Sequence, residues 1–374
     1  MTGHRAPNLL LNDEQTMLSK TAFEFIRERA PAARLRSFRD SGDELGLSRE
    51  LWTEMAELGW LGLQIPEEYD GLGLGFFDLC VVLEQTGREL MPEPFISTLL
   101  LGAQALLLGG TSIQKREILP GISAGETILA LGYEEGESPV RFVREGDHFV
   151  LSGEKLQVLD AHIADHLIVS ARDDDGATSL LLVEPSAEGL GLTRQFRIDG
   201  LGSAIVSLRD VRVGADALVG PLGEGGALLR RVLERSAIGA AAQMLGAAEQ
   251  AFEDTIEYIK EREQFGVPIG SFQALQHRAV SVFTDIALTR SAVLAAARAV
   301  DEAAEEVARL SALANAMASE ALLHAAKEAV QMHGGIGVTD EHDIGFYMKR
   351  AQAAYMTFGR PAQHRQCWAE LHGY

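Results

Sequence analysis

Only two cysteines occur in the 374 residues, Cys80 and Cys367, and neither belongs to a CxxC pair or stands in a histidine cluster. That excludes a disulfide framework and a zinc site of the usual spacing, and a reducing cytoplasm is the expected compartment. Basic charge is short as well: 33 Lys plus Arg face 54 Asp plus Glu, for a formal charge of -21. A surface of that sign repels polyanions, so neither nucleic acid nor an anionic membrane leaflet is an expected partner, and any anionic ligand must be held by local groups. No apolar run reaches the roughly 18 residues of a membrane span. The opening MTGHRAPNLLLNDEQ turns polar too early for a secretory leader. The usual catalytic signatures are missing too. There is no GxSxG, HExxH or Walker loop, and the ten histidines show no ligand spacing, which argues against hydrolase and metal chemistry.

What is present is apolar mass. Hydrophobic residues make up 47% of a chain too long for one ordinary domain, enough for two or three cores. From Asn12 the pattern is helical, opened by an Asn12/Gln15 capping box and carried by Leu18, Phe23 and Ile26. SRELWTEMAELGW and FFDLCVVLEQTGREL continue it on either side of the loop QIPEEYDGLGLG, predicting an all-helical domain over 1–125. At Thr127 the texture changes to short runs, TILAL, HFVLSG, HLIVSAR, TSLLLVE and AIVSLRDVRV, divided by turns. Strands that follow one another without helices predict an antiparallel β domain over 126–225 and exclude a dinucleotide-binding βαβ unit. The helical period then returns. Leu229, Leu233, Ala237, Ala240, Met244, Ala248 and Phe252 form one stripe, and helices over 272–302, 306–333 and 340–357 complete a four-helix bundle spanning 226–374. The fold class is α+β.

Polar residues that could carry chemistry concentrate in that bundle: Arg262 and Phe265 in EREQFG, Gln273 in GSFQALQ, and Gln331 ahead of Gly334 and Gly335 in VQMHGGIGVTDEHD. Singly each has a plain reading, since an arginine near a helix C-terminus complements the dipole and exposed glutamines are ordinary. Three glycines within four positions, after a glutamine, suggest instead a backbone that something approaches closely.

Together EREQFGVPIGSFQALQH and QMHGGIGVTDEHD resemble paired motifs of the acyl-CoA dehydrogenase family, and GWLGLQIPEEYDGLG in the first segment extends the likeness over nearly the whole chain. The resemblance implies FAD, an acyl-CoA substrate, electron-transfer flavoprotein as acceptor, and a dimer or tetramer in which the bundle of one subunit reaches its neighbour's flavin. By that resemblance Arg262, Phe265, Gln273, Gln331, Gly334 and Gly335 are the cofactor contacts. A guanidinium suits a diphosphate, and side-chain-free glycines let backbone N–H groups come near.

The chain departs from the family where the reaction needs a carboxylate to take the α-proton. The usual base position, a glutamate before a glycine, is Phe358 in YMTFGRP. The alternative position on the first bundle helix falls on Ser236. Glu234 lies two residues away, a rotation of roughly 200° on an α-helix, so only a helix irregularity would bring it round. Tyr133-Glu134-Glu135 replaces the family's Thr-Glu-Pro, and Gln157 stands where a tryptophan stacks near the flavin. Groups serving a neighbour's site are kept and groups holding the chain's own flavin ring are weakened. This resembles the non-catalytic subunit of the paired acyl-CoA dehydrogenases of bacterial steroid catabolism. A self-sufficient enzyme with a relocated base (Glu234, Asp340 or Glu341) and a flavin-free scaffold are the alternatives.

Overall fold

The computed structural model describes residues 10–374; most of the opening stretch weighed as a leader lies outside them. Asn12 caps α1 (Asp13–Arg29) by the predicted box, its side chain accepting Gln15 N–H at 2.7 Å while Gln15 Oε1 takes Asn12 N–H at 3.2 Å. There follow α2 (Arg34–Ser41), α3 (Arg49–Glu57), α4 (Phe76–Arg88), α5 (Gln104–Gly109) and α6 (Ser112–Ser123). A π-helical segment, Phe95–Ala103, runs into α5 and is almost wholly buried. Turns this wide are rare and concentrate at functional sites.

Eight strands then form one sheet: β1 (Leu129–Gly132), β2 (Arg141–Glu145), β3 (His148–Leu159), β4 (His166–Arg172), β5 (Thr178–Val183), β6 (Leu190–Phe196), β7 (Gly202–Gly214) and β8 (Leu218–Val219). Their order is β6-β7-β3-β2-β4-β5-β8, with β1 beside β4. The sheet is mixed, which corrects the expectation of a wholly antiparallel domain. The chain leaves β1, makes the β2–β3 hairpin and returns, so β4 runs parallel to β1 with Leu129 opposite His166 and Gly132 opposite Val169. Period-2 alternation buries Phe149 and Leu151 along β3 and Val206 and Leu208 along β7, and a bulge at Asp210 resets β7 so that Val211 joins the same core, where Phe142 meets Phe149 edge-on at 5.4 Å.

After the sheet come α7 (Gly225–Glu261), a short hairpin of β9 (Glu263–Gln264) and β10 (Val267–Pro268), α8 (Gln273–Asp301), α9 (Val307–His333), α10 (Ile344–Ala354) and α11 (Pro361–Leu371). Four helices were expected here and a fifth, α11, is added. The chain breaks after α10 because Phe358 and Gly359 take positive φ (61° and 109°), and Pro361 then starts α11 at its first position. By length and composition α8 could cross a membrane, but its small apolar residues pack along α9 as those of a core helix do.

The chain divides into two compact units. One joins Phe38–Leu74 to Pro92–Ser236 and holds the sheet with α3, α5, α6 and the π segment. The other joins the chain up to Ser37, Gly75–Met91 and Ala237–Tyr374, so α1 and α4 group with α8–α11 and most of α7. In this helical unit α4 and α7 cross at glycines. A Cβ on Gly246 would lie 1.8 Å from the Glu84 carbonyl oxygen, and one on Gly87 would lie 2.0 Å from that of Gln243. Beside the crossing, Arg290 reaches both oxygens of buried Glu84 at 3.0 and 3.1 Å and also pairs with Glu249. Burial raises the Glu84 carboxyl while Arg290 opposes the rise.

Candidate functional site

The helical unit carries the six residues proposed from sequence as cofactor contacts, and all six are exposed. α7 ends in the β9–β10 hairpin, whose two turn residues, Phe265 and Gly266, have φ of 57° and 80°. Positive φ at both positions is the type I′ geometry that a two-residue hairpin needs; phenylalanine is a costly choice there. Its ring is 92% exposed, steadied only on one side by an edge contact to Phe272 at 6.1 Å. Arg262 sits at the hairpin base. Its N–H bonds the Tyr258 carbonyl and its carbonyl accepts Ile269 N–H, each at 2.8 Å, so the backbone is pinned while the guanidinium stays in solvent. Gln273 opens α8, where the capping residue Phe272 supplies no side-chain acceptor.

The glycines at the end of α9 differ in what they are for. Gly334 has φ 63° and ψ -133°, a conformation essentially reserved for glycine. Gly337 is demanded by packing, since a Cβ would lie 2.7 Å from the Val330 carbonyl oxygen and 2.9 Å from His333 Cβ. Gly335 has neither reason. Its φ of -58° and ψ of -38° suit any residue, and open space surrounds its Cβ position. Neither backbone conformation nor packing inside the chain requires glycine there. Tyr258 ties the two halves of this face, its carbonyl holding Arg262 N–H and its ring stacked on His333, the residue before Gly334, at 4.3 Å.

Beneath the hairpin an open groove of about 570 Å³ is lined by Phe252, Ile256, Ile259, Pro268, Val280 and Phe283. Val280 and Phe283 are 62% and 58% exposed.

The candidate base positions are placed as follows. Phe358 is half-buried in left-handed backbone. Ser236 is fully buried, and its hydroxyl donates to the carbonyls of Leu100 and Val232, at 2.6 and 2.8 Å. Glu234 is half-buried, and burial raises its carboxyl against the opposing charges of Arg230, Arg231 and Arg235. α7 runs as unbroken α-helix from Gly225 to Glu261, without the irregularity that would swing Glu234 round to the direction of Ser236. Asp340 is an exposed ion-pair partner of Arg36 at 3.0 Å, and Glu341 is exposed.

In the sheet unit, Gln157 sits exposed at φ 49° in the register break of β3 between Lys155 and Val158. Behind it Lys155 is fully buried, bonding Glu135 at 2.7 Å and Ser170 at 2.9 Å. Burial lowers its ammonium, with Glu135 opposing. Tyr133 is held well above the usual phenol range by burial. Asp160 is buried at φ 55°, accepts Ser97 Oγ–H from the π segment at 2.6 Å, and is pushed up to about 7 by burial. Sequence reasoning missed Asp160, Ser97 and the Tyr258–His333 stack. Each pair is joined across 63 or more residues, and only the imidazole preceding Gly334 gave a local hint.

A helical segment, a mixed sheet and a helical bundle ending in an exposed hairpin and glycine turn describe a class of flavin-dependent oxidoreductases. The acyl-CoA dehydrogenase N-terminal domain matches residues 12–126 and its C-terminal domain residues 223–370. The chain is 31% identical over 363 residues to the acyl-CoA dehydrogenase IpdE2 of Mycolicibacterium smegmatis, covering 96% of this chain and 100% of the relative. The solved structure of a steroid acyl-CoA dehydrogenase, Tcur3481–Tcur3483, has 33% identity and a TM-score of 0.87 over 96% of this chain and 98% of that one. The ChsE4–ChsE5 complex from Mycobacterium tuberculosis has 26% identity and a TM-score of 0.91, covering 98% and 100% of the two chains. The chain belongs to the acyl-CoA dehydrogenase family, FAD-dependent oxidoreductases that act on CH–CH bonds.

Proposed function

We propose that this chain is a subunit of an acyl-CoA dehydrogenase that completes FAD sites together with a base-bearing partner. Its own part is to hold the diphosphate and adenosine end of the cofactor with Arg262, Phe265, Gln273, Gln331, Gly334 and Gly335. The observation that carries this reading is the contrast between an exposed cofactor-side face and a base position filled by Phe358. The residues fit FAD: a solvent-facing guanidinium complements a diphosphate, the Phe265 ring offers a heteroaromatic stacking face, and the open space at Gly335 admits a group to its backbone. When bound, FAD supplies the acceptor for the substrate's β-hydrogen. The partner's carboxylate takes the α-proton, a step for which neither Phe358 nor the spent hydroxyl of Ser236 is suited.

The acyl group is a bulky one of the steroid-derived kind, by similarity to the Tcur3481–Tcur3483 protein, and electron-transfer flavoprotein is the acceptor. The exposed apolar groove at Val280 and Phe283 supports an obligate oligomer. A charge of -21 supports a cytoplasmic protein without nucleic-acid or membrane partners. The three sequence segments, 1–125, 126–225 and 226–374, are retained as its domains.

The test is purification of the chain alone and with a co-expressed homologue that bears a glutamate at its own base position, followed by flavin absorbance and acyl-CoA turnover. The expected result is turnover only in the pair. Losing a positioned base costs about 10²- to 10⁴-fold, so the lone chain should be slow. An ordinary rate from the lone chain overturns the reading and points to a relocated base; no flavin and no turnover in either setting leaves a scaffold.

A further inference from the structure

The Gly334–Gly335 turn is held from behind by a cluster of three rings, two of them stacked. His333 is buried and ends α9; its ring lies on Tyr258 with centroids 4.3 Å apart and planes at 24°. His342 meets the pair at its edge, tilted at 59° to His333 with centroids 4.5 Å apart and edge-on to Tyr258 at 6.5 Å. Hydrogen bonds lock the rings. His333 Nδ1 meets the Ala329 carbonyl at 2.7 Å, and because a carbonyl can only accept, Nδ1 carries the proton. Tyr258 Oη donates to the His333 carbonyl at 3.3 Å, and His342 Nδ1 accepts Ile344 N–H at 3.1 Å. Burial lowers His333, with the Ala329 bond opposing and His342 lowering it further, so the imidazole is neutral near pH 7 and stacks without a charge to solvate. Beyond the turn, Arg36 pairs with Asp340 at 3.0 Å and with Asp343 at 2.8 Å, fixing the acids on either side of Glu341 and His342.

The turn therefore has an anchor at each end and nothing packed against its outer glycines. A glycine pair left unanchored would cost ordering entropy whenever a ligand bound it. The arrangement removes that cost in advance.

We propose that His333 is a positioning residue: stacked on Tyr258, flanked by the tilted ring of His342 and bonded to Ala329, it presets the Gly334–Gly335 backbone for the diphosphate and adenosine end of FAD. This rests on the cofactor reading above for what binds, but not for the clamp itself. None of the three rings need touch the ligand.

The first measurement is amide hydrogen exchange, by mass spectrometry, of a peptide covering 330–343 in the full-length protein without added flavin. His333→Ala should speed exchange there about tenfold while peptides elsewhere in α7–α9 keep their rates. Tyr258→Leu should act in the same direction, and His333→Asn, whose amide can still donate to Ala329, should recover part of the protection. Unchanged exchange in His333→Ala overturns the clamp; faster exchange across the whole helical unit also overturns it, by marking general loss of structure. The second measurement is FAD affinity by flavin fluorescence in the assembly that retains FAD. His333→Ala should weaken it by about tenfold through loss of one positioning contact. If Arg262→Ala weakens FAD and His333→Ala does not, the presetting role is wrong and the cofactor reading stands. If neither substitution affects FAD although His333→Ala speeds exchange, the cofactor reading fails and the clamp stands with a different ligand.

Discussion

Ser236 Oγ lies 2.6 Å from the carbonyl oxygen of Leu100 and 2.8 Å from that of Val232, so its one proton is shared between two acceptors inside a fully buried site. Those carbonyls define what the position tolerates: a donor fits, an anion does not. Ser236→Glu would place the family's alternative base in the chain, but against two carbonyl oxygens. We expect thermal unfolding to show a loss of at least about 1–3 kcal/mol, the usual cost of a buried polar group left unpaired, with no gain of turnover. In the assembled enzyme Glu234→Gln should leave kcat within twofold, because unbroken α7 turns Glu234 away from Ser236 by roughly 200°. Abolished turnover in Glu234→Gln would make it the base.

Arg262 is the charged member of the proposed cofactor face, and its backbone is pinned independently of its guanidinium. Arg262→Ala should therefore leave the melting temperature unchanged and weaken FAD retention. One charge-assisted diphosphate contact corresponds to about 1.5–3 kcal/mol, a loss of ten- to a hundredfold. Ultrafiltration at matched protein and salt concentration reads it, and equal retention would remove Arg262 from the site.

Glycine placement gives a prediction that depends only on packing. Gly246→Ala puts a methyl 1.8 Å from the Glu84 carbonyl oxygen, an atom of the α4 backbone that cannot rotate away. The helices must separate or the variant must lose stability, by about 1–3 kcal/mol or more. Gly335→Ala is the matched control: open space surrounds its Cβ position, so it should melt with the wild type and lose flavin instead. Equal melting of Gly246→Ala and the wild type would contradict the crossing.

Why some of this was legible in the sequence, and some not, follows from the range of each interaction. Capping at Asn12 is a three-residue affair and was readable, as were β4 and β5, whose continuous apolar runs are buried on both faces. β2 and β6 were not singled out. β2 buries only Phe142 and β6 buries nothing fully, so neither carries a clean alternation. Parallel pairing of β1 with β4 depends on where the intervening hairpin lies, which no local pattern encodes. The hairpin tip and the glycine turn could be picked out as motifs. The stack behind them could not, since Tyr258 and His333 meet across 75 residues.

Asp160 supplies the pH prediction. Its carboxyl is buried, accepts Ser97 Oγ–H, and is pushed up to about 7 from an ordinary 3.8, first by burial and then by the neighbouring Asp199 charge, with Ser97 and Arg197 opposing. The folded chain thus holds a proton that the unfolded chain has already released between about pH 4 and pH 7. Stability then falls as pH rises through that window, by at most about 1.4 kcal/mol per pH unit, and levels off above about 7. Below pH 4 both states are protonated and the contribution is constant. Other carboxylates slope the opposite way, so the quantity to read is the difference between wild type and Asp160→Asn. Asparagine tolerates the left-handed backbone and can still accept from Ser97, but it does not titrate. Denaturant unfolding at pH 5, 6, 7 and 8 should show the wild type losing ground to Asp160→Asn up to about pH 7 and running parallel to it above. A constant difference across all four would mean that Asp160 is ionised throughout, with the Arg197 charge prevailing over burial.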